Sequence, residues 1–305
     1  MHRDDTCASA VWGTEMEYTQ EQLKKIREIE LGLYHELARI CEKYNLRFVT
    51  GFGTTLGAIR HSGFIPWDDD MDFLMPRKDY EKLIEVAEKE LSHPYKLLEP
   101  RLTDGYVMGF AKLERDDSTF VEAVDKHFTY HCGIYIDIFP MDYWPQDIKK
   151  RDKVALRCYV LLKLMVLATY PRPKFPKGLK GIKKFFSIIG CGMISGFLKL
   201  FRISTRKLYK KYLKKATSTS REEAGGYVTD MCWCWIRNKH MFGLQYKDED
   251  LFTQLYHDFE NDRVPVPKDY DGYLTTAYRD YMKLPPEGSR HCHMPEILKF
   301  PGEEY

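Results

Sequence analysis

The alternation of apolar and polar positions predicts a mixture of helices and short strands. Residues 17–44 carry apolar side chains at three- and four-residue steps, which predicts an amphipathic helix. Two further helices are predicted at 54–60 and 78–91. Short apolar runs next to Gly, Pro or Asn predict strands at 47–52, 71–75, 95–98, 106–113, 119–121 and 134–139. We expect Pro140 to end the last of these strands.

The pattern changes after residue 145, which divides the chain into three parts. Residues 147–215 are predicted to be helical and basic, with a break at the proline-rich Pro171–Pro176. Residues 225–305 return to mixed character, with turns expected at Pro265, Pro267, Pro285 and Pro286. The sequence therefore predicts an α+β fold with a small mixed sheet flanked by helices and a basic helical insertion. Its predicted parts are 1–145, 146–224 and 225–305.

Composition excludes several classes of protein. The 305 residues are 44% hydrophobic and 14% aromatic, which is too apolar for a largely disordered chain. The uncharged run Phe185–Leu198 has 14 residues, fewer than the ~20 that span a bilayer, so no membrane-spanning helix is expected. The first residues do not resemble a secretory signal, and the eight cysteines are scattered. A cytoplasmic location with reduced thiols is predicted.

The small net charge of +2 hides a strong segregation of charge. The segment 153–221, here called the basic segment, holds 18 Lys and Arg and no Asp or Glu. The rest of the chain holds 29 basic and 45 acidic residues. Such segregation favours an anionic partner, and short apolar runs between cations are typical of an element lying on anionic lipid. The plainer alternative is a basic helical subdomain whose charge balances the acidic remainder.

Candidate chemistry is concentrated in Gly51–Gly57 and in the following acidic stretch. Asp70 and Asp72 lie two residues apart on a predicted strand, so both carboxylates are expected on one face. Neighbouring carboxylates repel unless a cation neutralises them, and Mg²⁺ prefers such oxygen ligands. Gly53 and Thr54 open a predicted helix, whose N–H groups suit a phosphate. Asp137 is an isolated acid in an apolar strand and could share the metal.

Each of these acids also has a plainer explanation. The stretch 68–72 could be a solvated turn, and Asp137 could be a buried acid paired with a Lys or Arg. The combination of a Gly-Thr turn, a hydrophobe-flanked Asp-x-Asp and a later isolated Asp is much rarer by chance. We therefore treat Asp70, Asp72 and Asp137 as candidate catalytic and metal-binding residues.

This order of motifs is that of the nucleotidyltransferase superfamily, and the fuller strings closely resemble the LicD family. That family comprises phosphorylcholine transferases and includes fukutin and the fukutin-related protein. The similar strings are GFGTTLGAIRHSGFIPWDDDMDF (51–73), FAKLERDDSTFVE (110–122), GIYIDIFPMD (133–142) and VPVPKDYDGYLTTAYRDYMKLPP (264–286). One departure is Arg279, which stands where the family usually has Gly. The resemblance implies a nucleotidyltransferase-like core.

The resemblance also implies a reaction. A CDP-activated donor, typically CDP-choline, would pass its phosphoalcohol to a hydroxyl of a cell-surface glycan, a teichoic acid or a lipopolysaccharide precursor, releasing CMP. Mg²⁺, with Mn²⁺ as an alternative, would lie on the three acids and bridge the diphosphate. Asp137 could also take the proton of the attacking hydroxyl.

Further donor-binding candidates are Gly53, Thr54, Arg60, Trp67 and Lys112. Lys112 could contact phosphate or be an edge-strand lysine reaching solvent. Arg60 could contact phosphate or pair with a nearby Asp. Trp67 abuts the acids and could face a choline head group, since a quaternary ammonium binds to ring faces.

Other interpretations remain open at this stage. An enzyme of the same fold could use an NTP to nucleotidylate a small molecule or a protein. A non-catalytic scaffold could bind anionic lipid through the basic segment; nucleic acid is not expected, because no recognised binding motif accompanies the charge. A zinc site at His291-Cys292-His293 is disfavoured, since adjacent residues rarely point at one ion. A lipid-linked acceptor would place the protein on the inner face of the membrane.

Overall fold

The structure is a computed structural model that describes residues 18–122, 125–170, 181–237, 240–286, 288, 290 and 292–303, with 182–184 and 237 described by backbone alone. It is a mixed α/β fold, as the sequence predicts. The α-helices of the described residues are α1 (Gln20–Tyr44), α2 (Phe52–His61), α3 (Arg77–Glu90), α4 (Ile148–Thr169), α5 (Gly181–Leu200), α6 (Thr205–Ala216), α7 (Asp248–Phe252) and α8 (Tyr270–Tyr278).

The strands are short, apart from one long strand that crosses the middle of the fold. They are β1 (Val49–Thr50), β2 (Asp72–Pro76), β3 (Tyr95–Leu98), β4 (Ala111–Arg115), β5 (Thr119–Val121), β6 (Ile134–Tyr143), β7 (Tyr227–Asp230), β8 (Trp235–Arg237), β9 (His240–Phe242), β10 (Tyr246–Lys247), β11 (Gln254–Phe259), β12 (Asp262–Pro267) and β13 (Ile297–Lys299). Short 3₁₀ turns lie at Asp125–His127 and Met231–Trp233.

The central sheet is mixed and is organised around β6. Within the described residues it has seven strands, in the order β1-β2-β6-β4-β3, with β7 on β6 and β10 on β7. β2 and β6 are parallel, and the other pairs are antiparallel. The pairs β11–β12, β5–β13 and β8–β9 form separate two-stranded ribbons.

Helices cover both faces of the sheet. Phe73, Ile136 and Ile138 face the apolar sides of α1 and α3, where they pack against residues such as Leu37 and Leu83. The opposite face presents Leu74, Phe139 and Met141, together with Leu56 of α2 and Tyr273 and Leu274 of α8. The strand predicted at 71–75 is thus observed at Asp72–Pro76, and successive residues of it face opposite sides of the sheet.

Local signals fix the ends of α1. Thr19 caps the helix, since its hydroxyl accepts a hydrogen bond from the Gln22 N–H while the Gln22 side chain reaches back to the Thr19 N–H. Asn45 ends it in the left-handed conformation. The predicted helix began at 17, a position outside the described residues; the observed first helical residue is Gln20.

The prediction that Pro140 ends a strand is wrong. β6 continues through Pro140 to Tyr143, and alternate residues of β6 direct their N–H groups to opposite sides. Asp137 N donates to Met71 O, next to β2, so the nitrogen of Pro140 faces the other side. There β4 begins opposite Ile138 and β7 ends opposite Met141, so Pro140 has no paired residue on that side. The missing N–H therefore falls in the gap between two partner strands.

Other element bounds also differ from prediction. The strand predicted at 47–52 is reduced to two residues because Phe52 already begins α2. The strand predicted at 106–113 begins at Ala111 and extends to Arg115. Pro265 and Pro267 do not form turns: they lie in β12, an edge strand of a ribbon, where alternate nitrogens need no partner.

The predicted basic helices are confirmed as α4, α5 and α6, whereas the proline-rich break at 171–176 lies outside the described residues. α4 packs against α6 around Val154, Cys158, Leu208 and Tyr212. No single helix of the described residues is long and apolar enough to cross a membrane. Phe185–Leu200 and Thr205–Ala216 meet the length and composition criteria only as a pair, and that pair is bent by 100°.

Candidate active site

Three strands place charged side chains side by side on one face of the sheet. Asp72 of β2 is in register with Asp137 of β6, and Asp137 is in register with Lys112 of β4. Residues paired across strands share a face, so the three side chains form one row, here called the acid row. Lys112 Nζ lies 3.1 Å from Asp137 Oδ1, and it also lies 3.0 Å from the centre of the Tyr135 ring.

The first turn of α2 is fastened to the acid row. The Asp72 N–H donates to the Thr54 hydroxyl oxygen at 2.8 Å, and the Gly51 N–H donates to the Asp72 carbonyl oxygen at 2.8 Å. No side chain caps this helix, and helix geometry leaves the first N–H groups, including those of Gly53 and Thr54, without an intrahelical partner. The N-terminal end of α2 thus lies against a buried carboxylate.

Gly53 allows close contact between α2 and the acidic stretch. A Cβ at Gly53 would lie 2.7 Å from Asp68 Oδ2, closer than van der Waals contact allows. The absence of a side chain therefore lets the helix end and the carboxylates approach each other.

The segment 68–70, here called the acid loop, precedes β2 and is held by α1. The Arg27 guanidinium donates to the carbonyl oxygens of Ile65, Pro66 and Asp68 at 2.8–3.2 Å. Asp70 was expected on the strand beside Asp72, but β2 begins at Asp72. The two acids are nevertheless close enough that the charge of Asp70 raises the pKa of Asp72.

Asp69 is held by residues from distant parts of the chain. Its two carboxylate oxygens accept the backbone N–H of His293 at 2.8 and 3.0 Å. The Tyr18 hydroxyl oxygen lies 2.5 Å from Asp69 Oδ2. The His293 ring lies between two acids, with Nδ1 3.4 Å from Asp69 Oδ1 and 3.5 Å from Asp70 Oδ2.

The electrostatics show an excess of negative charge. Burial, and then the charges of Asp70 and Asp137, raise the pKa of Asp72 well above its usual range. Burial raises the pKa of Asp137 to about 6, although the Lys112 ammonium opposes the shift. Burial alone would lower the pKa of His293, but the carboxylates of Asp70 and Asp69 raise it well above the usual value. The carboxylates outnumber the cations that contact them, so a further cation would be stabilised here.

The carboxylates of this site are suitable ligands for a hard divalent cation, but they are not positioned around one common point. Carboxylate oxygens are the ligands that Mg²⁺ and Mn²⁺ prefer, and Asp137 Oδ1 is buried with the Lys112 ammonium as its ion-pair partner. In the described part of the chain, no group of three or more His, Cys, Asp or Glu side chains is arranged closely enough to hold a metal. A metal on Asp70, Asp72 and Asp137 would require these carboxylates to rotate towards one another.

The remaining predicted donor-binding residues have defined contacts. Lys112 is not on an edge, since β4 lies between β6 and β3. Arg60 does not show the alternative pairing with an Asp: it donates from Nη1 to the Tyr281 carbonyl oxygen at 2.6 Å and from Nε to His61. The Arg290 guanidinium lies 4.5 Å from the centre of the Trp67 ring.

The comparisons with known proteins agree with this geometry. The nucleotidyltransferase domain described as LicD/FKTN/FKRP matches residues 45–157, which include the first turn of α2 and the acid row. A lipopolysaccharide cholinephosphotransferase, LicD, of Haemophilus influenzae is 28% identical over 272 residues, covering 86% of this chain and 91% of the relative. An uncharacterised protein of Rickettsia prowazekii is 37% identical over 67 residues, covering 20% of this chain and 25% of that protein.

Residues 45–157 match the LicD family domain, and the similarity to the Haemophilus LicD protein extends over 86% of the chain. This confirms the resemblance seen in the motifs, and it confirms the expectation of a phosphotransferase enzyme.

The LicD motifs that are far apart in this sequence meet in space. The carbonyl of Tyr281, in the last similar string, accepts from Arg60 in the first. Tyr278 lies close to the acids: burial, and then the charges of Asp72 and Asp68, raise its pKa far above the usual value. The C-terminal motif of this chain thus packs against the same site.

Sequence reasoning missed several residues of this site. It assigned no role to Tyr18, Arg27, Asp69 or Tyr278. For the segment that contains His293 it disfavoured a zinc site and left a contact with the active site open; His291 lies outside the described residues. Tyr18, Arg27 and His293 contact the acid loop through packing between distant segments. The one signal for His293 was its position a few residues after the last family motif.

Proposed function

We propose that this protein transfers phosphocholine from CDP-choline to a hydroxyl of a lipopolysaccharide-type cell-surface glycan precursor and releases CMP. The choice of head group and acceptor rests on the Haemophilus relative, a lipopolysaccharide cholinephosphotransferase whose similarity extends over 91% of its length. The proposal includes a nucleotidyltransferase-like core, with catalysis dependent on Mg²⁺ or Mn²⁺.

The observation that carries the proposal is the contact between the acid row and α2. The Thr54 hydroxyl holds the N–H of Asp72 at 2.8 Å, so the anion-binding end of α2 and the buried acids share one site. A diphosphate and a divalent cation need opposite chemical surroundings at close range. This junction supplies both, because helix N–H groups favour phosphate oxygens and carboxylates favour the cation.

Each residue has a role in this proposal. Gly53 and Thr54 orient the diphosphate through their N–H groups, and Lys112 balances charge beside Asp137. Asp70, Asp72 and Asp137 would hold the metal, which supplies neutralisation of the phosphate charge as CMP departs. The acceptor oxygen bonds to phosphorus, the bond between phosphorus and the CMP oxygen breaks, and Asp137 accepts the hydroxyl proton. The raised pKa of Asp137, about 6, suits a proton acceptor near neutral pH.

Thermal shift combined with CMP release tests the donor. We expect CDP-choline to raise the Tm only with Mg²⁺ or Mn²⁺. At a CDP-choline concentration 100 times the Kd, the free energy of unfolding should rise by roughly 2.7 kcal/mol. Asp72→Asn should abolish the shift and CMP release. It should also raise the Tm of the metal-free protein, since it removes a buried charge repelled by Asp70 and Asp137. Asp258→Asn, on the exposed ribbon, is the matched control.

The other outcomes separate the alternatives. A metal-dependent shift with CTP or ATP, and none with CDP-choline, would replace this proposal with the nucleotidyltransferase alternative. A larger shift with CDP-ethanolamine, CDP-ribitol or CDP-glycerol would replace the head group only. Full CMP release by Asp72→Asn would contradict the role of the acid row.

We also propose that the basic segment docks on an anionic membrane surface, where a lipid-linked acceptor would be found. α5 exposes apolar side chains to solvent, including Phe186 at 62%, Met193 at 70% and Leu200 at 78%. Lys207, Lys210, Lys211 and Lys214 lie on the following α6. An apolar surface beside cations and without acids is complementary to the boundary between anionic head groups and acyl chains.

A groove between α4 and α6 supports the same proposal. It has a volume of about 690 Å³, with apolar walls that include Leu156, Val160 and Leu161. Arg157, Lys211, Lys214 and Lys215 also line it. A groove of this kind suits an acyl chain whose head group is anionic.

A further inference from the structure

A cavity lies on the same sheet face as the acid row. Leu74 and Met141 line it, and they stand two and four residues after Asp72 and Asp137 on their strands. Residues two apart share a face, and two residues cover roughly 7 Å along a strand. A group attached to the diphosphate through a short spacer would therefore reach this cavity.

The wall of the cavity is fastened to the proposed phosphate-binding turn. Phe52, which lines the cavity, is the residue between Gly51 and Gly53. Its N–H donates to the hydroxyl of Tyr273, another lining residue, at 2.8 Å. The cavity and the turn are thus parts of one structure.

The walls are mainly aromatic. Tyr246 and Tyr273 lie with ring centres 4.6 Å apart, and Phe52, Trp233 and Trp235 complete the aromatic lining. The space between them is large enough for a few water molecules, and Trp233, at 55% exposure, lies at the opening. Ring faces attract a cation, and they suit one that makes no hydrogen bonds.

Among the described residues, one acid lines this mainly apolar cavity, beside Thr229. Asp230 is buried, and its Oδ1 accepts the Cys232 N–H at 2.7 Å. Its Oδ2 has no hydrogen-bond partner among the described residues. Burial raises the pKa of Asp230 to about 7, and the nearby Arg77 is already paired with Asp142 through two hydrogen bonds. A buried carboxylate oxygen without a partner is costly, and a bound cation would offset that cost.

We infer that this cavity, the aromatic pocket of Phe52, Trp233, Trp235, Tyr246 and Tyr273 with Asp230, binds the trimethylammonium group of the transferred alcohol. The inference rests on the proposed phosphocholine transfer and names the element that selects choline. A polyol such as ribitol would leave several hydroxyls without partners against the rings, and a primary ammonium would bring three N–H donors to one free carboxylate oxygen. Trp67, the candidate head-group contact from sequence, does not line this pocket.

Binding of two donors distinguishes this pocket from a general donor site. We expect the metal-loaded protein to bind CDP-choline more tightly than CDP-glycerol in isothermal titration calorimetry. Trp233→Leu and Asp230→Asn should each weaken CDP-choline about tenfold and leave CDP-glycerol unchanged. Trp233→Phe, which keeps a ring, should retain most of the affinity. Tyr256→Leu, an exposed aromatic on β11, is the control for surface effects.

The failure of the pocket and the failure of the proposed function give different results. If wild-type protein binds CDP-choline but the pocket variants bind it as tightly, the pocket assignment is overturned and the function stands. If both donors weaken equally in both variants at unchanged Tm, the pocket does not select the head group. If neither CDP-choline nor CDP-glycerol binds the wild-type protein with metal, the proposed function itself fails.

Discussion

Arg279 occupies a backbone position that suits glycine. It follows the last residue of α8, with φ 61° and ψ −107°, and its side chain is exposed. A side chain with a Cβ is strained in this conformation, at a typical cost of about 1–3 kcal/mol. The family usually has Gly here, so the departure visible in the sequence has a local energetic consequence.

Arg279→Gly should therefore stabilise the protein. Glycine relieves the backbone strain of the folded state, and it also raises the conformational entropy of the unfolded chain, which opposes the gain. The first effect is larger, so we expect the free energy of unfolding to rise by about 1 kcal/mol. Chemical denaturation measures this gain. Arg279→Ala removes the guanidinium but keeps the Cβ, so it should give no gain. Equal stabilisation by both variants would assign the effect to charge instead of backbone.

At the scale of single residues, the sequence predicted the parts of the site that follow from local pattern. Asp72 alternates with apolar neighbours, and Asp137 interrupts an apolar run, so the pattern indicates both as candidates that could share a metal. The structure sets these two acids side by side, although their catalytic and metal-binding roles remain predictions. Tyr18 and His293 could not be found this way, since their contact with Asp69 depends on how remote segments pack.

At the scale of elements, Glu90 ties the end of α3 to α1. Its carboxylate accepts from Lys43 Nζ at 2.8 Å and from the Tyr44 hydroxyl at 2.5 Å, and Arg39 also reaches it. The hydrogen bond from Lys43, and then that from Tyr44, lower the pKa of Glu90 to about 2. Because the pKa of Glu90 is lower in the folded state, its carboxylate contributes fully to the free energy of unfolding above a pH near 4.5, the pKa in the unfolded chain. This contribution is lost as the pH falls towards 2.

Glu90→Gln should therefore lower the Tm by a few degrees at pH 7 and by less at pH 3. Thermal unfolding between pH 7 and pH 3 measures the Tm difference between the variant and the wild type, which should become smaller as the pH falls. Glu88→Gln, on an exposed position of the same helix, should leave the Tm nearly unchanged. A difference that stays constant between pH 7 and pH 3 would contradict the ion-pair explanation.

Element type was predictable, whereas element ends depended on neighbouring strands. The periodicity of α1 and α3 predicted both helices within a few residues. β6 continues past Pro140 because neither β4 nor β7 pairs with that residue. No local signal contains that information, since β7 comes from more than eighty residues later in the chain. The proposed division at 145 and 224 remains a prediction.

At the scale of the whole molecule, charge and exposed apolar surface coincide. The basic segment contains α5 and α6, and α5 carries exposed large side chains such as Phe186 and Met193. Exposed apolar patches on a folded chain mark contact surfaces. The cations around this one favour an anionic surface as the partner.

Vesicle cosedimentation should detect this contact. We expect binding to phosphatidylglycerol vesicles at low salt and several-fold weaker binding at about 0.5 M salt, where charges are screened within a few ångströms. Met193→Ser with Phe197→Ser should weaken binding further, while Leu255→Ser on the exposed ribbon should not. Equal binding to neutral phosphatidylcholine vesicles, or none to either, would contradict the proposal.

The contact of Tyr18 and His293 with Asp69 has a consequence for engineering this protein. These two residues are 275 positions apart, yet both fasten the same carboxylate of the acid loop. A deletion that removed either segment would leave a buried acid with fewer donors and would free the loop that leads into β2. Shortening the chain at positions remote from the matched domain would thus disturb the candidate site itself. A fragment limited to residues 45–157 would lack the two contacts that hold Asp69 in place.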